Sequence, residues 1–164
     1  MHTRPTADRV REALFSILFD VEGYSVLDLF AGSGAVGLEA LSRGAERCVF
    51  VENDRPALNA LETNIDALGV GEKTEVIKKA VAPAMRALIE RGDRFDLVFA
   101  DPPWDDAIGF FTKVGSPALV ADEGSFVLEH GSREASPAEP EGMILSDQRR
   151  YGDTALSFYQ RSRS

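Results

Sequence analysis

Between residues 25 and 44 the chain changes texture twice. Ser25-Val26-Leu27-Asp28-Leu29-Phe30 is a short, nearly continuous apolar run, and Ala31-Gly32-Ser33-Gly34-Ala35-Val36-Gly37 is rich in glycine. Leu38, Ala40 and Leu41 then recur at helical spacing up to Gly44. An apolar run this short, bounded by turn residues, is a buried strand, and the change of period marks entry into a helix. Strand, glycine turn and helix is the repeating unit of a parallel sheet, because a parallel neighbour is reached only through a crossover. The spacing Gly32-x-Gly34-x-x-Gly37 also matches the dinucleotide fingerprint, in which glycines turn the backbone tightly and let it approach a ligand. The pattern alone is weak; its flanking strand and helix strengthen it.

The same alternation runs along the chain. Arg4 to Phe19 reads as a helix entered through a proline turn, with Thr6 as N-cap, Asp8 in the first turn and an apolar stripe of Val10, Leu14, Ile17 and Leu18. Strands follow over Arg47–Val51, Thr74–Lys78, Phe95–Ala100 and Ser125–Glu129. Helices are predicted at Leu58–Leu68, closed by Gly69, at Ala80–Ile89, and briefly at 107–114. Glu134–Glu141, carrying Pro137 and Pro140, is a loop. Met143–Leu145 and Ala155–Tyr159 are two last strands, joined through the hairpin chemistry of Tyr151-Gly152-Asp153-Thr154. The expected architecture is α/β: a mostly parallel seven-stranded sheet with helices on both faces and a C-terminal antiparallel hairpin. With no repeat and no linker, the 164 residues make one domain, residues 1–22 being an N-terminal helical extension.

Right-handed crossovers bring the carboxyl ends of parallel strands to one edge, where open α/β sheets bind ligands. Three signals meet there. The first is the glycine turn. The second is Glu52, ending the second strand, placed to accept both hydroxyl protons of a ribose; Asp54 before Arg55-Pro56 is instead a helix N-cap. The third is Asp101-Pro102-Pro103-Trp104, where two prolines remove two backbone donors and stiffen the exit from the fourth strand. The Asp101 carboxylate and Pro102 carbonyl can accept from an exocyclic amine, and the indole of Trp104 can stack on a planar base. The plainer reading of that tetrapeptide is a strand end with Trp104 packed in the core.

Charge and cysteine usage narrow the classes. A net charge of −9, from 27 acidic and 18 basic residues, argues against wrapping nucleic acid through a broad basic surface. Local clusters remain: Arg4, Arg9 and Arg11 at one end, Arg149, Arg150, Arg161 and Arg163 at the other, read as solvated surface or as phosphate contacts. The single cysteine, Cys48, excludes an internal disulfide and a cysteine-cluster metal site, and its strand setting makes it a buried, inert thiol. His130 follows the fifth strand and reads as structural. No apolar run spans a bilayer and no signal peptide opens the sequence, so a cytoplasmic protein with no membrane partner is expected.

Val26-Leu27-Asp28-Leu29-Phe30-Ala31-Gly32-Ser33-Gly34 resembles motif I of the S-adenosylmethionine-dependent Rossmann-like (class I) methyltransferases. Asp101-Pro102-Pro103-Trp104 resembles the [Asn/Asp]-Pro-Pro-aromatic motif of the subset that methylates exocyclic or amide nitrogens. More narrowly, Arg4-Pro5-Thr6-x-Asp8-Arg9-Val10-Arg11-Glu12, and the stretch from Phe30 through Gly44, are similar to the RsmD family, whose members methylate guanine N2 in 16S ribosomal RNA. The resemblance runs nearly end to end. It implies S-adenosylmethionine as cofactor, held by Asp28, Phe30, Ala31, Gly32, Ser33, Gly34, Glu52, Asn53 and Ala80. It implies Asp101, Pro102, Pro103 and Trp104 as catalytic residues. Arg4, Arg9, Arg11, Arg149 and Arg150 would contact RNA, either 16S rRNA or a small-subunit assembly particle, and the protein would act as a monomer without a metal. Relatives commonly place Asp or Asn after the third strand to hold adenine; here Lys79 and Ala80 stand there, so a backbone amide near Ala80 takes that contact. The family also carries a basic, glycine-rich stretch ahead of the Arg-Pro-Thr motif, where this sequence begins. Three rivals stay open. DNA adenine-N6 methyltransferases share the motif but carry a recognition insert, protein glutamine-N5 methyltransferases carry Asn where Asp101 stands, and a catalytically silent nucleoside-binding domain would need neither acid.

Overall fold

A computed structural model describes residues 5–103, 110, 116–133 and 139–162. The helices are α1 (Pro5–Leu18), α2 (Ala35–Ser42), α3 (Arg55–Leu68) and α4 (Val81–Glu90). The strands are β1 (Ser25–Leu29), β2 (Arg47–Val51), β3 (Thr74–Ile77), β4 (Phe95–Ala100), β5 (Val120–Gly131), β6 (Met143–Tyr151) and β7 (Thr154–Arg161). They form one sheet in the order β3-β2-β1-β4-β5-β7-β6. Strands β1 to β5 pair in parallel, while β7 lies antiparallel between β5 and β6. The expected α/β fold, with its C-terminal antiparallel hairpin, is what forms.

Alternation along each strand sends side chains to two layers. In the first, Val10, Leu14 and Phe15 of α1 and Leu38 and Leu41 of α2 pack with Leu61 and Ile65 of α3 onto Val26, Phe50, Leu97, Phe99, Val127, Leu156 and Phe158. In the second, Val81, Ala84, Met85 and Leu88 of α4 cover Leu29, Val51, Val98, Ala100, Phe126, Leu128 and Tyr159. Coverage of both faces explains why the central strands read as continuous apolar runs. Helix α1 belongs to this packing: Leu14 and Phe15 are each 1 % exposed. Arg11 pairs with Glu39 and Arg43 lies over the Phe15 ring, so α1 runs alongside α2 and in the same direction. Both helices therefore start at the carboxyl edge of the sheet.

The structure adjusts several boundaries. Thr6 lies inside α1, which already includes Pro5, so it is not the N-cap. Strand β5 is much longer than Ser125–Glu129, because it bulges: Phe95 pairs with Val120 but Leu97 with Ser125. Gly124 sits at the bulge, where an added Cβ would come within 2.8 Å of the Phe95 carbonyl. Strand β6 continues through Ser146-Asp147-Gln148-Arg149-Arg150, polar residues that an edge strand tolerates and that break the apolar pattern of a buried one. The hairpin turn holds Gly152 at φ 60, and Tyr151 pairs with Thr154 as expected. Of the short helix expected at 107–114, only Phe110 is among the described residues, and it is helical; 134–138 of the expected loop lie outside them.

Candidate functional site

Register aligns the strand ends. Leu29 pairs with Val51 and with Ala100, Val51 with Ile77, and Ala100 with Leu128. The next residues, Phe30, Glu52, Lys78, Asp101 and Glu129, therefore line one edge.

The glycine turn leaves β1 through Phe30 at φ 58 and continues through Gly32 at φ 59 and Gly34 at φ 86. This left-handed region suits glycine; at Phe30 it costs of order 1–2 kcal/mol, offset by the surrounding bonds. Ala31 donates to the Val51 carbonyl (3.1 Å) and Gly34 to the Ala31 carbonyl (2.9 Å). The Asn64 amide donates to the Ser33 carbonyl at 3.0 Å, and Gly32 N–H donates to Glu52 Oε1 at 2.8 Å. The turn is thus fastened from β2 and from α3. Gly37 has a different task. A Cβ there would meet Phe50 Cε1 at 2.5 Å and Cys48 Sγ at 2.6 Å, so its bare backbone lets α2 lie close on the sheet. Cys48 is buried, and burial pushes its thiol well up, as an inert thiol requires.

Two acids brace the turn. Glu52 Oε2 accepts from the Asn53 and Asp54 amides at 3.1 and 3.0 Å, in addition to the Gly32 bond. A carboxylate offers about four lone-pair positions, so Oε1 keeps capacity for a ligand hydroxyl. Asp28 is 2 % exposed beneath the turn, and its Oδ2 accepts from Gly37 N–H at 3.1 Å. Burial pushes its carboxyl up to about 8; the Gly37 bond opposes this, and the charges of Asp101 and Glu52 add to it. Asp28 therefore ties α2 to β1 from below. Asp54 caps α3, its Oδ2 accepting from Ala57 N–H at 3.1 Å, with Pro56 in the first turn, as its sequence position foretold.

Beside the turn is a cavity of about 330 Å³ lined by Phe30, Val51, Glu52, Asn53, Lys79, Ala80, Val81, Ala82 and Phe110. That volume lies within the range of small-ligand sites. Phe30 and Phe110 meet edge to face, centroids 5.1 Å apart. Ala80 caps α4 without a side-chain hydrogen bond, which leaves the first-turn amides of Val81 and Ala82 as donors at the cavity wall. Aromatic and aliphatic walls, a carboxylate at one side and backbone donors at the other suit an adenosine. Among the expected cofactor residues, Phe30, Glu52, Asn53 and Ala80 line this cavity. Ala31, Gly32, Ser33 and Gly34 form the adjoining turn. Val51, Val81, Ala82 and Phe110 were not expected, nor was the bracing Asn64. The only signal for Phe110 was its place in the short helix expected at 107–114.

Asp101 is exposed at the end of β4, Pro102 buried and Pro103 exposed; Trp104 lies outside the described residues. Arg4 also lies outside them. Arg11 is held by Glu39 at 2.8 Å and Asp8 at 3.2 Å, whereas Arg9 is exposed. Arg149 pairs with Leu156, and Leu156 with Glu129, so Arg149 stands level with Asp101, three strands away. At about 4.8 Å per strand that is roughly 14 Å. Arg149 bonds Asp147 at 3.1 Å, and Arg150 is exposed. Arg161 serves the fold, donating to the Pro117 and Val120 carbonyls at 2.8 and 3.0 Å. His130 is structural as expected: Nε2 lies 2.7 Å from Ser157 Oγ, Nδ1 2.9 Å from the Gly131 carbonyl, and Gln148 donates to the same Ser157.

A parallel sheet with a glycine turn after β1, an acid ending β2 and Asp-Pro-Pro leaving β4 defines a Rossmann-like methyltransferase, with S-adenosylmethionine as cofactor. The family model described as conserved hypothetical protein 95 matches residues 1–160, and the chain belongs to this family, that of RsmD. It is 36% identical over 164 residues to ribosomal RNA small subunit methyltransferase D of Escherichia coli K12, covering 96% of this chain and 79% of the relative. It is 32% identical to YlbH of Bacillus subtilis 168, covering 97% and 88%. The solved structure of a hypothetical protein from Thermus thermophilus superposes with a TM-score of 0.81 at 34% identity, over 96% of this chain and 88% of that one.

Proposed function

We propose that this chain methylates the exocyclic N2 amine of a guanine in small-subunit ribosomal RNA, as a cytoplasmic monomer acting on 16S rRNA, free or in an assembling particle. The observation that carries the reading is the register that sets Asp101-Pro102-Pro103 one strand from the glycine turn and its adjoining cavity. The name of the Escherichia coli relative supports the substrate class. Among the described residues no helix is long and apolar enough to cross a membrane.

S-adenosylmethionine, when bound, supplies an electrophilic methyl group. Glu52 Oε1 and the Val81 and Ala82 amides would hold its adenosine, with Phe30 and Phe110 against the ring. A guanine amine is a poor nucleophile because its lone pair is delocalised into the ring. Asp101 Oδ and the Pro102 carbonyl would accept its two hydrogens and turn the lone pair toward the methyl group. As the N–CH3 bond forms the S–CH3 bond breaks, S-adenosylhomocysteine departs, and one of the two amine protons would leave through Asp101 or directly to water. Most of the acceleration then comes from positioning and from stabilising positive charge as it builds on nitrogen. Trp104 is assigned to stack on the base by its motif alone. The base must leave its stack to enter, or come from a loop. Arg9 near the start of α1, with Arg149 and Arg150 beyond β5, would take phosphates along the same edge.

Asp101→Ala tests the reading. Single-turnover methyl transfer to 16S rRNA should fall by a factor of ~10²–10³, while affinity for S-adenosylhomocysteine by titration calorimetry stays within about twofold, since the lost interaction acts in the transition state. Full turnover by this variant ends the amine-methylation reading. Transfer by the wild-type protein to duplex DNA or a release-factor peptide, and not to rRNA, would select a rival.

A further inference from the structure

The proposed transfer step assigns no role to Glu129, yet it stands beside Asp101. Ala100 pairs with Leu128, so Asp101 and Glu129 follow on adjacent parallel strands, about 4.8 Å apart. Glu129 still belongs to the sheet: it pairs with Leu156, whose side chain lies in the first core layer with Val127. Its carboxylate therefore points to that layer's side. On β4, Leu97 and Phe99 lie in the same layer, and the alternation carries Asp101 to that side too. Asp28 pairs with Phe99, so Asp101 stands two residues beyond it on the strand next to β1. Along the edge the order is glycine turn, Asp101, Glu129.

We infer that Glu129 is a specificity-determining residue that accepts the N1–H of the target guanine while Asp101 holds the N2 amine. The inference rests on the guanine-N2 reading above. The neighbouring carboxylates match the base. The Watson–Crick edge of guanine presents N1–H directly beside the N2 amine, two adjacent donors that two adjacent carboxylates can receive. An ionised carboxylate is an acceptor only. Adenine presents an unprotonated N1 beside its amine, so it would set lone pair against lone pair at Glu129. Glu129 thereby excludes the substrate of the adenine-N6 enzymes, which share the Asp-Pro-Pro motif. It is partly exposed, as a group reached by an incoming base must be.

The test changes the base and the residue together. The guanine that the wild-type protein methylates is mapped by mass spectrometry in 16S rRNA. Splinted ligation then replaces it with 2-aminopurine, which keeps the 2-amine but has an unprotonated N1. Wild-type kcat/KM should favour guanine over 2-aminopurine by a hundredfold or more, as sites built around a hydrogen bond reject analogues lacking it. Glu129→Gln, whose amide can donate to N1, should lose on guanine, gain on 2-aminopurine and bring the ratio within about tenfold. Glu129→Ala should lose on guanine without that gain. Melting temperature and S-adenosylhomocysteine affinity should stay at wild-type values, which separates base reading from a structural role. A wild-type protein indifferent to the two bases, or a ratio unmoved in both variants, overturns the role of Glu129 and leaves the guanine reading standing. Failure of the wild-type protein to methylate any guanine overturns both.

Discussion

Removing the Glu52 carboxylate should weaken cofactor binding and loosen the glycine turn, and the two effects have different sizes. Glu52 receives three backbone amides, from Gly32, Asn53 and Asp54. Bonds to a charged acceptor contribute ~1.5–3 kcal/mol each where water cannot replace them. The Asn53 and Asp54 bonds are exposed, so in Glu52→Ala water restores them at little cost; only the Gly32 bond is partly buried. The stability loss should therefore be that of about one bond, ~1–3 kcal/mol, or a fall of roughly 2–10 °C in melting temperature for a chain of this size. Affinity should suffer separately, because the remaining acceptor capacity on Oε1 is what a ribose hydroxyl would use. That loss is also ~1–3 kcal/mol, about 5- to 150-fold in Kd. Calorimetric titration with S-adenosylhomocysteine reads the second effect and thermal melting the first. Glu52→Gln, which keeps Oε1 but turns an NH2 toward the exposed amides, should be intermediate in both. A Glu52→Ala variant that melts early yet binds at wild-type Kd would refute the ribose contact and leave Glu52 only as the fastening of the turn.

Asp28 gives a pH signature. Its folded-state pKa is raised to about 8 from an ordinary 3.8, so the stability it contributes is fully present below that ordinary value and is lost as pH rises toward 8. Asp28→Asn stays neutral and can still accept from Gly37, so it should match the wild type near pH 4 and out-melt it increasingly up to pH 8; parallel melting profiles over that window would contradict the buried-acid account. At the proposed RNA contact, Arg149→Ala/Arg150→Ala should weaken rRNA binding and reduce the slope of log affinity against log salt by about 0.7–0.9 for each phosphate no longer neutralised. Arg11→Ala, whose charge is taken up by Glu39 and Asp8, should leave that slope unchanged, and filter binding from low to moderate salt distinguishes the two.

The sequence carried most of this fold because the parallel strands are buried on both faces and end abruptly. β2 and β4 have the expected bounds, and β1 and β3 each stop one residue sooner. Legibility fell off where a segment is buried on one side only. The polar residues of β6 and the bulged start of β5 lack an apolar run, and only pairing with their neighbours makes them strands. The site behaved in the same way. Acids and prolines at strand ends announced themselves, since a polar residue there interrupts an apolar run. What stayed hidden were contacts between distant residues: Phe30 with Phe110, Asn64 with Ser33, Arg11 with Glu39. A residue type fixes what a side chain can do, but only the packing decides whether that capacity is already spent. Arg11 and Arg9 look alike in the sequence, yet one is neutralised by α2 and the other is exposed. Asp28 and Glu52 both read as cofactor acids, yet one lies under the turn and the other faces the cavity.

The charge distribution follows from the same geometry. An excess of acid would ordinarily repel RNA, and here acids gather at the edge of the proposed site: Glu52, Asp101 and Glu129 follow the last parallel pairs of β2, β4 and β5. An amine acquiring positive charge is favoured by such a setting, whereas phosphates are not. The arginines flank it along the same edge, Arg149 and Arg150 on the hairpin beyond β5 and Arg9 on the first turns of α1. The separation of Arg149 from Asp101, roughly 14 Å across three strand spacings, exceeds a Debye length of about 8 Å at physiological salt. On the proposed reading, the backbone and the base would be held by fields of opposite sign that scarcely interfere. The resulting expectation is that salt acts on RNA binding and leaves the transfer step alone: single-turnover rates at saturating RNA should stay flat across the salt range that abolishes binding, and a transfer rate that fell in step with affinity would show that the two regions are not separate.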